Sequence, residues 1–339
     1  YISNYMDNYI IRKTVSKRGS KYKYKYKYLD KRENEIMNKQ IIKDAKKGLY
    51  IPPAYDNVKI NLCKSENVLA IGYDTKDRPQ YIYNNKFKQE QSIKKFNHMY
   101  DFGLKFKEIN KQISTDLYSY SDSKEKQVAL ILKLIMDCNF RVGNEKYCKE
   151  NNSFGVTTLQ KKHIKVIKNK VIIDFNGKKN VRNTCTLKNK KIIRTLKDKR
   201  RTLNNNDNIF TFRIGNKYHK IKSSDVNNYL KQFGDFSAKN FRTWGANIEF
   251  IVQIIKECKK EFPKSKNDIK ITLNKCIKKV ADKLHNTQSV CKNNYLDPEL
   301  MNLFLDNPNK FSTTFNFKAN QINKDKIITK YIQFLKLLI

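Results

Sequence analysis

The chain has 339 residues, 71 of them lysine or arginine against 32 aspartate or glutamate, for a formal charge of +39 and a pI near 9.8. That length can hold two domains and a substantial core, and that charge favours a polyanionic partner, nucleic acid before any other. The longest nearly apolar run, Val128 to Met136 interrupted only by Lys133, is far too short to cross a bilayer, so no membrane partner is expected.

Residues 1–90 read as mainly β, with short runs rich in Tyr, Ile and Val between turns: Tyr22–Tyr28, Val58–Leu62, Val68–Ile71 and Gln80–Tyr83. Lys21-Tyr-Lys-Tyr-Lys-Tyr-Lys-Tyr28 alternates with period two, which puts tyrosines on one face and lysines on the other. It reads either as a ribbon that stacks bases and touches phosphates or as an edge strand kept from aggregating by its lysines. Ile51-Pro-Pro-Ala-Tyr55 is an extended, turn-like break.

The polar stretch from Asn84 to Lys95 is the expected connection to a second, mainly helical domain over 91–339. Asp122-x-x-Glu125 has the form of a capping box opening a helix through Val128–Met136, apolar almost all round and therefore central. A small β meander over about 163–187 follows: His163–Ile167, Val171–Phe175, a hairpin signalled by Asn176-Gly177, and Val181–Leu187. Helices are then expected from Ser223/Ser224 to Phe233-Gly234, from Phe241 to Phe262 before Pro263, and from Asn267 to Leu284. Asp297-Pro298 reads as an N-cap with an N1 proline, and an amphipathic helix over Lys324–Leu338 closes the chain.

The seven cysteines, at positions 63, 138, 148, 185, 258, 276 and 291, form no Cys-x-x-Cys pair and no Cys/His ligand spacing. With no signal-peptide layout at the N-terminus, this usage predicts structural thiols in a reducing intracellular compartment, and neither a disulfide framework nor a zinc site.

A few polar side chains stand where chemistry could use them. Arg141 follows the central helix, where a rigid support would hold a guanidinium for bidentate contact with a phosphate. Lys178 sits at the hairpin tip, ordinarily a solvated position. Arg242 lies near the start of a long helix beside Phe241 and the sole tryptophan, Trp244, where anions are favoured. His285 and Asn286 end the next helix, and either could donate to a phosphate oxygen. Tyr295 is one of 20 tyrosines and is not singled out by type.

In order and with their flanks, these segments resemble the type IB DNA topoisomerases, in particular the small branch of poxviruses, giant viruses and bacteria. The likeness rests on Arg141-Val-Gly-Asn-Glu-Lys-Tyr147, Ser153-Phe-Gly-Val-Thr-Thr-Leu159, Phe175-Asn-Gly-Lys178, Lys239-Asn-Phe-Arg-Thr-Trp244 and Asn286-Thr-Gln-Ser-Val-Cys-Lys-Asn-Asn-Tyr295. Ile51-Pro-Pro-Ala-Tyr55 and Gly72-Tyr-Asp-Thr-Lys-Asp-Arg-Pro-Gln-Tyr-Ile-Tyr83 extend it toward the N-terminus.

The resemblance implies an α+β architecture, a small β-rich DNA-binding domain plus a mainly α catalytic domain of the tyrosine recombinase/topoisomerase IB type, closing as a clamp on DNA. It implies ATP-independent relaxation of supercoils by a monomer, with Tyr295 as the nucleophile that forms a 3′-phosphotyrosyl bond and leaves a free 5′-hydroxyl. Arg141 and Arg242 match the arginines that stabilise the transition state, Lys178 the general acid, and Lys239 an assistant to proton transfer. Asn286 falls at the phosphate-contacting position, with His285 as its rival where the family usually has glycine. Arg78, Gln80, Tyr81, Tyr83 and Tyr147 match DNA-contacting positions. No cofactor or metal is implied, and the partner is double-stranded DNA inside a cell, at a virion, nucleus or replication site. Two other readings compete: a tyrosine recombinase or integrase, which usually carries histidine where Lys239 stands, and a non-catalytic DNA-packaging protein.

Overall fold

The computed structural model describes residues 8–18, 23–120, 122–258, 262–315 and 322–339. The chain divides into two compact units, Tyr1–Lys95 and Phe96–Ile339.

The first unit is a five-stranded antiparallel sheet in the order β2-β1-β3-β4-β5. Its strands are β1 (Tyr9–Arg18), β2 (Lys23–Leu29), β3 (Asp56–Asn61), β4 (Val68–Tyr73) and β5 (Pro79–Tyr83), with helix α1 (Lys39–Lys46) between β2 and β3. Ile10, Val58, Ile60 and Ala70 alternate inward and meet Ala45 of α1. The Lys/Tyr repeat lies at the sheet edge: Lys25 and Lys27 are exposed while Tyr26 and Tyr28 are half-buried. Arg12 covers the Tyr26 ring at 4.3 Å, and the Tyr26 hydroxyl donates to Pro53 O at 3.2 Å. These tyrosines pack against their own unit, which favours the edge-strand reading; Lys21 and Tyr22 lie outside the described residues.

The segment expected as a connection is helical. Asn85–Tyr118 forms one helix, α2, of 34 residues. Nothing in Asn84 to Lys95 interrupts it, because the stretch holds no Pro or Gly and its Lys, Gln and Glu residues are good helix formers.

The second unit is built on α3 (Lys124–Cys138), buried from Lys126 to Leu132 without a break. Its N-cap is Ser123, whose Oγ accepts from Lys126 N at 3.2 Å; Asp122 instead accepts from the Gln127 side chain, so the capping box expected one residue earlier does not form. Then come α4 (Glu145–Asn151), the meander β6 (Ile164–Ile167), β7 (Lys170–Asn176) and β8 (Arg182–Leu187), helix α5 (Lys190–Arg201), and a hairpin of β9 (Thr211–Ile214) and β10 (Lys217–Lys220). The remaining helices are α6 (Ser223–Lys231), α7 (Ala238–Glu257), α8 (Lys266–Lys283), α9 (Gln288–Asn294), α10 (Pro298–Asp306), α11 (Pro308–Phe315) and α12 (Lys324–Lys336). Among the described residues no helix is long and apolar enough to cross a membrane.

Helix α7 runs beside α3 and α8 with Ile251 and Ile254 fully buried. Phe102, Phe241, Trp244 and Tyr331 interlock at its start, with Phe102 edge-on to Phe241 at 5.0 Å and Trp244 against Tyr331 at 5.2 Å. The register of the helices follows their caps more than their apolar runs. Ser237 starts α7 a full turn ahead of its first aromatic, Phe241, and Asp297 caps α10 by accepting from Glu299 N at 3.0 Å.

One expectation about the cysteines is corrected. Cys138 and Cys185 are joined as a disulfide, their Cα atoms 5.7 Å apart. The end of α3 packs against β8, which brings together two thiols that 47 residues separate in sequence.

Candidate active site

Arg141 is set by two loops that close on each other. Val156 N donates to Arg141 O at 2.9 Å and Thr157 N to Val142 O at 2.7 Å. The contact requires glycine on both sides: Gly143 has φ +101°, and a Cβ on Gly155 would fall 2.4 Å from the Gly143 Cα. The motifs Arg141-Val-Gly and Phe154-Gly-Val are therefore one structural device that anchors the arginine's backbone. Arg141 Nη2 donates to Asn286 Oδ1 at 2.5 Å.

Asn286 is presented by the way α8 ends. Asn286 N bonds Ala281 O at 3.0 Å and His285 N bonds Asp282 O at 3.1 Å, the paired bonds of a Schellman turn. His285 holds its left-handed residue, at φ +53°. This accounts for a family position that usually carries glycine, and it resolves which neighbour faces Arg141: Asn286 does. His285 packs instead against Phe140, ring centroids 5.6 Å apart. Burial pushes its imidazole pKa down, the nearby Arg242 and Arg141 push the same way, and a hydrogen bond with the Cys138 backbone pushes against them.

A left-handed non-glycine residue costs about 1–2 kcal/mol, so glycine at 285 relieves strain while giving up the ring contact. His285→Gly is expected to keep single-turnover DNA cleavage within about threefold of the parent, whereas Asn286→Ala lowers it about a hundredfold, the usual scale for losing one preplaced donor. Rapid-quench kinetics check both, and the opposite ranking would return the phosphate contact to His285.

Arg242, in the second turn of α7, is only 3 % exposed. One of its nitrogens, Nη2, donates to Leu284 O at 3.0 Å, a carbonyl left open by the end of α8. Nε and Nη1 are buried without a well-formed partner in the protein, as is Asn286 Nδ2. A buried charged group normally has its hydrogen bonds filled. Here the surplus donors on Arg242 and Asn286 sit around the same tyrosine.

That tyrosine is Tyr295, 9 % exposed at the carboxyl end of α9, with the Arg242 guanidinium 5.3 Å above its ring. Burial raises its phenol pKa and is the largest single influence. The combined pull of Arg242, Arg141 and weak hydrogen bonding to Arg242 and Asn286 exceeds it, and the net shift is downward. Its backbone is fixed by Asn247, a fully buried residue of α7: Nδ2 donates to Tyr295 O at 3.0 Å and Oδ1 accepts from Asp297 N at 2.8 Å. Sequence reasoning passed over Asn247, although a lone amide between Ala246 and Ile248 on an apolar helix was a visible signal.

Lys178 and Lys239 are exposed. Lys239 is in the first turn of α7. Lys178 begins a short 3-10 turn, Lys178–Asn180, between β7 and β8, and the two strands pair antiparallel from Asn176 and Arg182 onward as the hairpin that Asn176-Gly177 signals. The left-handed residues are Lys179 and Asn180, at φ +60° and +58°, and Gly177 is needed for a different reason: a Cβ there would meet Asn183 Nδ2 at 2.5 Å. Tyr147, on α4, is also exposed.

In the other unit Gln80, Tyr81 and Tyr83 lie on β5, with Tyr81 and Tyr83 on one face, their rings stacked at 6.1 Å. Arg78 is held by Asp74 through Nη2 at 2.7 Å and Nε at 2.9 Å, an ion pair that brings the Asp74 carboxyl down to about 2. The expectation of Arg78 as a DNA contact meets a competing role, shaping the turn between β4 and β5. Among the described residues no three His, Cys, Asp or Glu side chains gather as a metal site.

Two guanidiniums and an amide converge on a buried phenol, a set of donors that suits an anionic group such as a phosphate. Comparison with known proteins narrows this. Residues 84–319 match the family described as "Eukaryotic DNA topoisomerase I, catalytic core". The chain is 32 % identical over 270 residues to the DNA topoisomerase 1B of Acanthamoeba polyphaga mimivirus, covering 78 % of this chain and 80 % of that one. It is 28 % identical over 245 residues to the DNA topoisomerase 1B of Vaccinia virus (strain Copenhagen), covering 70 % and 73 %. The chain belongs to the type IB DNA topoisomerase family and is an enzyme of that class. The recombinase and packaging readings give way to it.

Proposed function

We propose that this enzyme relaxes supercoiled DNA by breaking and resealing one strand through Tyr295, without ATP. The observation that carries the reading is the convergence of Arg141, Arg242 and Asn286 on that one phenol.

In the proposed step Tyr295 Oη releases its proton to solvent and attacks a backbone phosphorus. The phosphorus–O5′ bond breaks, leaving a 3′-phosphotyrosyl link and a 5′-hydroxyl. Negative charge builds on the non-bridging oxygens in the transition state. Arg141, Arg242 Nε and Nη1, and Asn286 Nδ2 supply preplaced donors for it, which lowers the barrier without reorganisation. The phosphodiester is exchanged for another ester of similar energy, so the 5′-hydroxyl can reseal the strand after it has swivelled.

Lys178 protonates the departing O5′, and Lys239 assists from the first turn of α7. Lys178→Ala should slow cleavage of an ordinary suicide substrate about a hundredfold or more. A 5′-bridging phosphorothiolate, whose leaving group needs no proton, should restore most of that loss; an unrescued variant would remove Lys178 from the acid role.

For DNA contact the reading assigns Gln80, Tyr81 and Tyr83 of the first unit and Tyr147 of α4, with Arg78 contributing charge beside Asp74. The chain acts as a monomer, its two units gripping one duplex as a clamp. A charge of +39 supports many phosphate contacts, so affinity should fall steeply with salt. The overall test is plasmid relaxation without ATP, with the adduct located by mass spectrometry; an adduct on any other residue would overturn the assignment of the nucleophile.

A further inference from the structure

We propose that the Cys138–Cys185 bond is a thiol-exchange site open to a small thiol, and that its redox state sets how fast Lys178 delivers its proton. The second half of this rests on Lys178 being the general acid.

The bond joins two elements that carry the reaction's parts. Cys138 is the last residue of α3, and Arg141 follows it after the left-handed Asn139. Cys185 lies in β8, paired with Ile173 of β7, and these two strands carry the Lys178 turn. The covalent loop therefore encloses both Arg141 and Lys178. The meander is held to the core by Ile164, Val171, Ile173, Phe175 and Leu187, all buried. Its tip projects beyond them, with Lys178, Lys179 and Asn180 exposed. Among the described residues the sulfur bridge is the only covalent cross-link between the strand pair bearing Lys178 and the helix that leads to Arg141.

The bond is also within reach of a reagent. A half-open cavity of about 820 Å³ is lined by both cysteines together with Asn139, Thr184, Trp244 and His285. This is ample room for a cysteine-sized or glutathione-sized thiol. Cys185 is half-buried whereas Cys138 is 4 % exposed, so attack falls on the Cys185 sulfur. A thiolate RS⁻ bonds to Cys185 Sγ, the Sγ–Sγ bond breaks, and its electron pair leaves on Cys138, which takes a proton. A second thiol then displaces Cys185, giving RSSR and the protein dithiol; the reverse reaction consumes RSSR as the oxidant. Cys258, Cys276 and Cys291 do not compete, since all three are buried, and burial raises their thiol pKa values to about 11, about 12 and about 12.

With the bond closed, the strands at the base of the turn are pinned to α3, which narrows the positions Lys178 can take relative to Arg141. With it open, the turn samples more positions and the proton arrives late. His285 also lines the cavity and hydrogen-bonds the Cys138 backbone, so the phosphorothiolate arm of the test is what separates an effect on proton delivery from one on the other donors.

The test uses the full chain with Cys63→Ser and Cys148→Ser, which removes the accessible free thiols. It is prepared oxidised and, after dithiothreitol, reduced, with alkylation and peptide mapping to assign Cys138 and Cys185. The reduced form should cleave an ordinary suicide substrate about fivefold more slowly and a 5′-bridging phosphorothiolate at the same rate as the oxidised form. A Cys138→Ser/Cys185→Ser chain should behave as the reduced protein. Equal rates on the ordinary substrate would overturn the proposal, as would a deficit of the same size on the phosphorothiolate, which would mark a general loosening. So would free thiols at both positions in the oxidised protein. Lys178→Ala run alongside separates the two readings. If the phosphorothiolate fails to rescue it, the acid assignment falls and the proton-delivery half of this proposal with it. If it is rescued and the redox effect is absent, only the exchange proposal falls.

Discussion

Tyr295→Phe is expected to abolish covalent DNA adducts and plasmid relaxation while leaving duplex affinity within about twofold, because it removes the nucleophilic oxygen and little else. The ring stays under Arg242, and the backbone stays held by Asn247 on either side of Leu296. The case for this tyrosine over the other buried and half-buried ones is electrostatic. Tyr331 is fully buried against Asp297, and Tyr229 donates to Asp116 at 2.5 Å; burial first and then the carboxylate drive both phenol pKa values up. Tyr295 is buried as well, yet its arginines turn the shift downward. A phenol destined to become a phosphoester oxygen needs that direction, since charge on the attacking oxygen is stabilised in advance. Cleavage by the parent should accordingly rise with pH and level off below the range where a free tyrosine ionises. Gel assays of adduct and topoisomer give the first result directly. Residual relaxation by Tyr295→Phe would place the nucleophile elsewhere.

Much of the frame was legible because it rests on local rules. Asp297-Pro298 announced α10, the apolar run after residue 127 announced α3, and the Tyr/Ile/Val runs announced β3, β4 and β5. What escaped depends on contacts between distant segments. Helix α9 is only seven residues long and has a single buried residue, Cys291, so it carries no periodicity to read. Cys138 and Cys185 look unrelated in sequence and meet because β8 packs on α3. In the site itself, residue types and order pointed to Arg141, Arg242, Asn286 and Tyr295 through a family likeness. The reason Asn286 faces Arg141 and His285 does not lies in the left-handed turn at the end of α8, which no side-chain pattern encodes. Lys178 and Lys239 are exposed, and no burial or capping pattern in the sequence marks either one.

Arg242→Met should separate stability from activity more sharply than any other change in the site. Cleavage and resealing are both expected to fall by about a thousandfold, roughly 4 kcal/mol of transition-state stabilisation, the upper end for one preplaced donor group. Folding stability should move far less, and in part the other way. The guanidinium is almost wholly withdrawn from solvent, with two nitrogens lacking a full hydrogen bond. Each unfilled buried polar group costs about 1–3 kcal/mol. Against this, Met leaves Leu284 O without its 3.0 Å partner, one unfilled group in place of two, at about 1–3 kcal/mol. The balance favours a melting temperature equal to or above the parent's. Arg242→Lys should fall between on activity, since an ammonium keeps the charge but cannot bond Leu284 O and a phosphate with one rigid fork. Denaturation curves beside single-turnover kinetics check the pair of outcomes. A variant that loses stability in proportion to activity would show Arg242 to be chiefly a packing element of the α7–α8 contact. A stable, inactive one is what a donor held in place for a phosphate requires.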